Sequence, residues 1–576
     1  MAGSEVITLQ VGHYANFVGA HWWNMQEGSF GRRQPGFEKE INHDRFFHTG
    51  CTSKGEETYT PRMVFMDLKG SLRHLRRDGT LYESGDTDVA QVASVWQGSV
   101  NQEVTSASAK NQFLSDLDAA DAAYMQQQTG VASAGIPSAT TPASTTATAA
   151  AAVAQQSDVP MPDRYYDLDD TVEVWSDYLR PHLHPRSACA INRFTHCSDS
   201  DPFDVYSMGL DVMQDISMAD QFEDQVRFFA EACDRLQGYQ LLTDIHNGFG
   251  GVSSEVVDFL RDEYEKKSIF TVATMPPCFE QTDGQHVATR SLSAAFSFQH
   301  LSEASSMLLP LSTSTAGLWP SLSAGQTVQS AHINYRSDLS YHTSALLAAT
   351  LDTVTLPYRL KASSTSIHQV ADLLTPLGRK VVSAYTALPF PFRAGSKLVD
   401  CFAELPALHS DSLSMSMTPL THDDELAYAQ HAVLCGIPPE LAKQTDEGDL
   451  KPDDAFRTYL GGSPSAMINS SCYVKEASVV SAPFPNIFKP SVTVRGFVET
   501  EEAYLRPPGY AVHTLPVMAA LQSRNSSSRL VEHIVQSAEE AQPQRQFAFY
   551  QSSLSTDSWS ETRESLRQLS DNYLSE

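Results

Sequence analysis

EVITLQVGHYANFVGAHWW, residues 5–23, is the stretch on which the reading of this chain turns. Val6, Ile7, Leu9 and Val11 make Glu5–Val11 a strand. Gly12 breaks it, and Ala15, Val18, Ala20, Trp22 and Trp23 then recur as in a buried helix. A strand, a glycine turn and a helix open an α/β unit. The same order returns downstream. Phe222, Val226, Phe229 and Cys233 mark an amphipathic helix. Tyr239–Ile245 is a buried strand that runs into Asn247-Gly248-Phe249-Gly250-Gly251, and a helix follows through Val256, Val257, Leu260 and Tyr264. Ile269–Ala273 is the next strand, and Met63–Met66, between Pro61 and Asp67, is another. Strand, glycine loop, helix and strand in that order predict a parallel, doubly wound sheet.

Farther out the pattern is uneven. Val172, Trp175, Tyr178 and Leu179 predict a helix stopped by Pro181, with Asp167–Asp170 as its solvated acidic start. Ser344–Leu351 and Ile367–Leu374 read as helices and Val381–Leu388 as extended. Residues 401–465 carry little periodicity and are expected to be loop-rich. Leu530, Ile534, Val535 and Ala538 form a helical stripe, and Ser558 with Glu561 would cap a last helix bearing Leu566, Leu569 and Tyr573. Ala, Ser, Thr and Gln dominate from Ala132 to Gln156, a composition that buries little. The expected division is 1–100, a linker over 101–163, 164–284 completing the first lobe, a second lobe over 285–400, a loop-rich region over 401–525 and C-terminal helices over 526–576.

Composition bounds what the chain does. Its 576 residues carry 40 Lys and Arg against 69 Asp and Glu, a net charge of -29 that would repel nucleic-acid phosphates. With 41% hydrophobic residues there is material for a large core, and the length suits three or four structural units. The eight cysteines are scattered without a Cys-x-x-Cys, which reads as reduced thiols in the cytosol or nucleus. Neither a secretory nor a matrix leader is expected, because Lys and Arg are absent before Arg32. No apolar run reaches the ~20 residues that span a bilayer, so membrane residence is expected to be peripheral. The sequons at Asn469 and Asn525 then read as chance matches.

Three segments point to a family. Residues 5–23 resemble the opening strand and phosphate loop of tubulins, YTPRMVFMDL (59–68) the strand and loop that follow, and CDRLQGYQL (233–241) the helix–strand joint before the tubulin glycine loop. With VWSDYLRPHLHPRS (174–187) and LDTVTLPYRL (351–360), the chain is similar to the Misato family, a divergent eukaryotic branch of the tubulin superfamily, over residues 5–395. The resemblance implies an α/β, tubulin-like fold: a doubly wound parallel-sheet lobe, a second α+β lobe and a C-terminal helical region. It also implies a role in mitochondrial distribution, morphology and fusion, exercised from the cytoplasm and the outer mitochondrial membrane.

Against the tubulin pattern the nucleotide loops are eroded. Bare amides at a helix start cradle phosphates. In His246-Asn247-Gly248-Phe249-Gly250-Gly251-Val252, Gly248 and Gly250 match family glycines. His246 and Asn247 replace two more, Phe249 stands for the hydroxyl-bearing threonine, and Val252 replaces the last glycine. Gly12, Asn16 and Asp67 are kept, but His13 replaces a glutamine and Lys69 stands where tubulins have an acid near magnesium. The third phosphate loop has no clear counterpart near Trp96-Gln97-Gly98. Placing LPFP (388–391) on the matching tubulin motif puts Leu377, Arg379 and Val382 where a neighbour's Asn, Asp and activating acid would be, so no carboxylate is left to orient water. The expectation is a non-enzyme with vestigial nucleotide-binding positions Gly12, Asn16, Asp67, Gly248 and Gly250, no catalytic residue, no metal and no cofactor, GTP binding being left open. Its partners are expected to be proteins at the outer mitochondrial surface, with tubulin or chaperonin as candidates, and not nucleic acid. The competing readings are a nucleotide-switched, polymerising GTPase and a cytosolic assembly factor for tubulin and its chaperonin.

Other groupings read as structural. His182, His184, Cys189, His196 and Cys197 lie close in sequence, but their spacing fits no usual zinc pattern. No Gly-x-Ser-x-Gly elbow anchors a hydrolase triad. Trp22, Trp23 and Trp175 are expected in the core.

Overall fold

The computed structural model describes residues 4–30, 40–51, 57–75, 109–129, 164–196, 202–279, 283–315, 317, 326–363, 365–393, 397–406, 410, 413–421, 425–438, 441, 451–462, 466–499, 505–507, 509–542, 554 and 556–574. The strand read at the start is β1 (Glu5–Val11), followed by α1 (His13–Phe30). A hairpin of β2 (Phe47–Cys51) and β3 (Glu57–Pro61) leads to β4 (Met63–Lys69), and α2 covers Gln112–Thr129. Then come β5 (Ala188–Thr195), α3 (Tyr206–Met213), α4 (Ile216–Glu231), β6 (Leu236–Asp244), α5 (Gly248–Glu263), β7 (Ser268–Thr274), α6 (Gly284–Ala304) and β8 (Met307–Leu311). Six parallel strands form one sheet in the order β5-β4-β1-β6-β7-β8. β1 and β7 are buried along their whole length, which is why they read as near-continuous apolar runs.

Beyond the first sheet, α7 (Ser340–Thr355) is buried at nearly every residue, wedged against α1 and a second sheet. After α8 (Ile367–Leu374) that sheet is built from β9 (Ser383–Ala387), β10 (Met415–Ser416), β11 (Ala427–Cys435), β12 (Ala466–Val474) and, past the short pair β13 (Ser478–Val479) and β14 (Thr514–Leu515), β15 (Val517–Ser523). Its order is β10-β9-β15-β11-β12, parallel only between β11 and β12. α9 (Leu398–Glu404) and α10 (Pro452–Gly462) cover its far face through Phe402, Phe456 and Leu460. The last helices, α11 (Ser527–Glu540) and α12 (Thr556–Leu574), fold back onto α6 of the first lobe, where Ile534, Leu566 and Tyr573 join its core. A doubly wound parallel lobe, a second α+β lobe and a C-terminal helical region are therefore all present.

Several boundaries differ from expectation. The second sheet comes from residues 383–523, not 285–400, and β8 returns the chain to the first sheet after residue 284. The region expected to be loop-rich holds β11, α10 and β12. β11 escaped notice because Gln430 and His431 interrupt the apolar run that a strand buried on both faces would otherwise show. The expected linker contains α2, whose Phe113 and Leu114 enter the core, whereas 130–163 lies outside the described residues. Only a single turn, Trp175–Asp177, forms where a helix was expected, and Asp167–Asp170 starts no helix. The Asp177 carboxylate accepts the amides of Glu173 and Val174, which competes with a helical ladder. α12 begins at Thr556, so Ser558 lies inside the helix and is not its cap.

Candidate functional site

β1 ends at Val11, and Gly12 turns the chain into α1 with φ +121, a backbone that favours glycine. The first free amides of α1 do not face an open cleft. Tyr14 donates its amide to Asp244 Oδ2 and Ala15 to Asp244 Oδ1, both at 2.9 Å, and the Thr274 hydroxyl reaches Oδ1 at 2.8 Å. Asp244 ends β6, the strand beside β1, and is 1% exposed. A Cβ on Gly12 would sit 2.6 Å from its Cγ. Burial pushes the Asp244 carboxyl up to about 7, opposed by Thr274, the two amides and His13. With donors converging on both oxygens, the geometry is that of the ionised group.

Asp67 lies next door, at the end of β4, fully buried. It accepts from Trp175 Nε1 (2.8 Å), Asn16 Nδ2 (3.2 Å) and its neighbour Leu68 N (2.8 Å), and it pairs with His13 Nδ1 (3.2 Å). Burial raises its pKa, but His13, the Leu68 amide and His196 outweigh that, and the net shift is downward. The His196 ring lies against His13, tilted, with centroids 3.9 Å apart, and burial, followed by His13, lowers its pKa to about 4. Asn16 also donates to Met66 O, and its own Oδ1 is buried without a partner. An orphaned acceptor there is the wrong polarity for a phosphate oxygen. Lys69 is exposed at the end of β4.

The second glycine loop is closed differently. Asn247 caps α5, taking the Phe249 amide on Oδ1 at 3.0 Å and the Gly250 amide on its carbonyl at 3.1 Å. Gly248 N donates to Phe203 O at 3.0 Å, and the Phe203 ring occupies the place where a Gly248 Cβ would go. Phe249 is 2% exposed and packs edge-on against Phe203. Gly250 and Gly251 let α6 and α3 approach, since added Cβ atoms would strike Ser297 Oγ and Tyr206 O. Burial, then Arg290, lowers the His246 pKa to about 3.

The five positions anticipated from sequence fall into two groups: Gly12, Asn16 and Asp67 meet around the start of α1, and Gly248 and Gly250 open α5. What the sequence reading missed is their occupants, Asp244, Trp175 as a donor to Asp67, and Phe203. The signal for Asp244 was an acid ending the apolar strand Tyr239–Ile245 just before the loop. The amides of Tyr14 and Ala15 at α1 and of Gly248, Phe249 and Gly250 at α5 are taken by the chain itself, and the Asp67 carboxylate is already shared among four groups, an arrangement that leaves a phosphate and its metal few free partners among the described residues. Trp96-Gln97-Gly98 lies outside the described residues. Of the three positions expected to have lost a neighbour's activating groups, Leu377 is 74% exposed, whereas Arg379 and Val382 are buried. Arg379 Nε donates to Asn572 O, and Tyr573 of α12 lies beside it.

The histidine and cysteine grouping is dispersed. His182 pairs with Asp121 of α2, His184 stacks on Phe228, Cys189 is buried against Met218, and Cys197 lies outside the described residues. Among the described residues no cluster of three or more potential metal ligands occurs.

Comparison with known proteins matches both parts of the first lobe. Residues 4–119 match the Misato Segment II tubulin-like domain and residues 167–360 a tubulin domain. The chain is 32% identical to protein misato homolog 1 of Homo sapiens, across 100% of this chain and 99% of that protein. It is 33% identical to the same protein of Mus musculus, with the same coverage, and 28% identical to protein misato of Drosophila melanogaster over 92% of this chain and 91% of that one.

Proposed function

The chain belongs to the Misato family of tubulin-like proteins, and from that premise we propose that it regulates mitochondrial distribution, morphology and fusion as a non-enzymatic, tubulin-like protein. The observation that carries the non-enzymatic part is the self-filled pair of loops: Asp244 on the amides of α1, Asn247 and Phe203 on those of α5. Phosphoryl transfer depends on placing metal, water and phosphate with preorganised charges. Here those charges are engaged with one another. The fold then acts as a scaffold for protein partners at the cytosolic face of the outer mitochondrial membrane. No helix among the described residues is long and apolar enough to cross a membrane, which supports peripheral attachment.

The test has two arms. Cells depleted of the protein are expected to show clustered or fragmented mitochondria, restored by re-expression, and an unchanged network would overturn the mitochondrial part. Purified protein is expected to carry no guanine nucleotide and to show no GTP turnover that climbs with protein concentration. Turnover that does climb would return the polymerising-GTPase reading.

A further inference from the structure

We propose that Asp244 is a built-in anion, an autoinhibitory contact that occupies the start of α1 in place of a phosphate and makes the fold independent of nucleotide. This rests on the non-enzymatic reading above, not on its mitochondrial part.

Helix starts attract anions because their first amides are unpaired and the helix dipole adds partial positive charge. At α1 that demand is met from within. The two oxygens of one carboxylate take two successive amides, Tyr14 N and Ala15 N, at equal distance, as two oxygens of a phosphate would. The carboxylate comes from the end of the adjacent parallel strand, where it is pinned by the Thr274 hydroxyl of β7. It fills the space beside Gly12, the point at which a strand–glycine–helix turn lets a ligand reach bare backbone. Its charge is met by peptide groups, Thr274 and His13 rather than by a Lys or Arg salt bridge among the described residues. A carboxylate buried merely to fill volume would be costly. One that meets a helix start offsets part of that cost through charge-assisted hydrogen bonds from Tyr14 N, Ala15 N and Thr274.

The inference turns on whether an external anion replaces the internal one. Asp244→Ala in the full-length protein removes the carboxylate and leaves its space. Its thermal midpoint is expected to fall by roughly 5 °C or more and to recover by at least half in inorganic phosphate or formate, relative to chloride at the same ionic strength. The wild type is expected to respond to phosphate no more than to chloride. A variant that phosphate and formate leave untouched would overturn the built-in anion while leaving the non-enzymatic reading standing. A second measurement needs no variant: wild-type protein stabilised by GTP or by phosphate beyond the chloride control has an open α1 site, and that also overturns the proposal. GTP turnover by the wild type would instead bring down the non-enzymatic reading itself. Asp244→Asn, which keeps the shape but not the charge, serves if the alanine variant does not fold. It is expected to lose stability despite fitting the site, and wild-type stability in that variant would overturn the proposal.

Discussion

At the start of α1 the amide of Tyr14 is met by a carboxylate 230 residues away in sequence, whereas at the start of α5 the amide of Phe249 is met by Asn247, two residues away. The first arrangement exists only when β6 lies beside β1 in the assembled sheet. The second forms as soon as the local turn does. The two loops are thus closed by different means, one through tertiary structure and one through a local cap. The stability of the α1 loop should therefore belong to global unfolding, and that of the α5 cap largely to local opening.

The largest test of that contrast is Asp67→Ala on the α1 side. It strands the buried Trp175 indole N–H, leaves the Asn16 amide with Met66 O alone and takes the carboxylate partner from part-buried His13. Removing the shared partner of such a network costs about 3–5 kcal/mol. Denaturant unfolding followed by tryptophan fluorescence checks it, with Trp175 shifting to the red. A loss under about 1 kcal/mol would mean that the α1 side is no more tightly tied than the α5 cap.

Glycine replacements come next. Gly12→Ala meets both a left-handed backbone and the Asp244 carboxyl, itself held by three donors, and is expected to cost about 2–4 kcal/mol. Gly248→Ala meets only the Phe203 ring, a side chain with some freedom to shift, and is expected to cost about 1–2 kcal/mol. Equal losses in calorimetry would erase the distinction between a fixed obstacle and a yielding one.

Acidification acts on both loops, through groups that titrate in different pH windows. The folded pKa of His246 is lowered to about 3, so the unfolded chain takes up the proton first and stability falls as pH drops from about 6.5 towards 3. Asp67 is shifted in the same direction, its depressed pKa stabilising above about 4 and that contribution being lost only as pH falls below it, whereas Asp244, raised to about 7 by burial, acts in the opposite sense, its charge costing stability as pH rises from about 4 towards 7. His196 and His21, lowered to about 4 and about 3, add to the upper window. His246→Asn is expected to reduce the slope of stability between pH 6 and 4, sparing roughly 2 kcal/mol at pH 4. An unchanged slope would show that the His246 ring gains no proton on unfolding.

How much of this was legible depended on the distance over which each feature is determined. β1, β6 and β7 declared themselves because strands buried on both faces are apolar runs closed by a glycine or proline turn. The positions Gly12, Asn16, Asp67, Gly248 and Gly250 were legible only through the resemblance to the tubulin loops. Their occupants were not, since Asp244 meets α1, Trp175 meets Asp67 and Phe203 meets Gly248 only after folding. β11 was hidden by Gln430 and His431 in its middle, which look like loop residues in sequence. In the sheet they are held by Gln522 of β15 and by Asn469 and Ser470 of β12, so polar side chains satisfy one another from two buried strands out to the more exposed edge strand β12. The expected helix near Trp175 failed because its apolar spacing serves tertiary contacts with Asp67 and Phe17 rather than a helical face.

The smallest expected effect is the one that isolates the local side of the contrast. Asn247→Ala removes one side-chain acceptor from the Phe249 amide and leaves the Gly250 and Gly248 amides bonded to the backbone carbonyls of Asn247 and Phe203. Loss of a helix cap of this kind costs about 1 kcal/mol. Because the neighbouring amides keep their partners and no charge is stranded, the loss should appear as faster amide exchange in the first turn of α5, with little change in global unfolding. Exchange that instead rises throughout β6, α1 and α5 together would mean that the cap is bound into the same network as Asp244, and that the two loops are one structure closed by one set of ties.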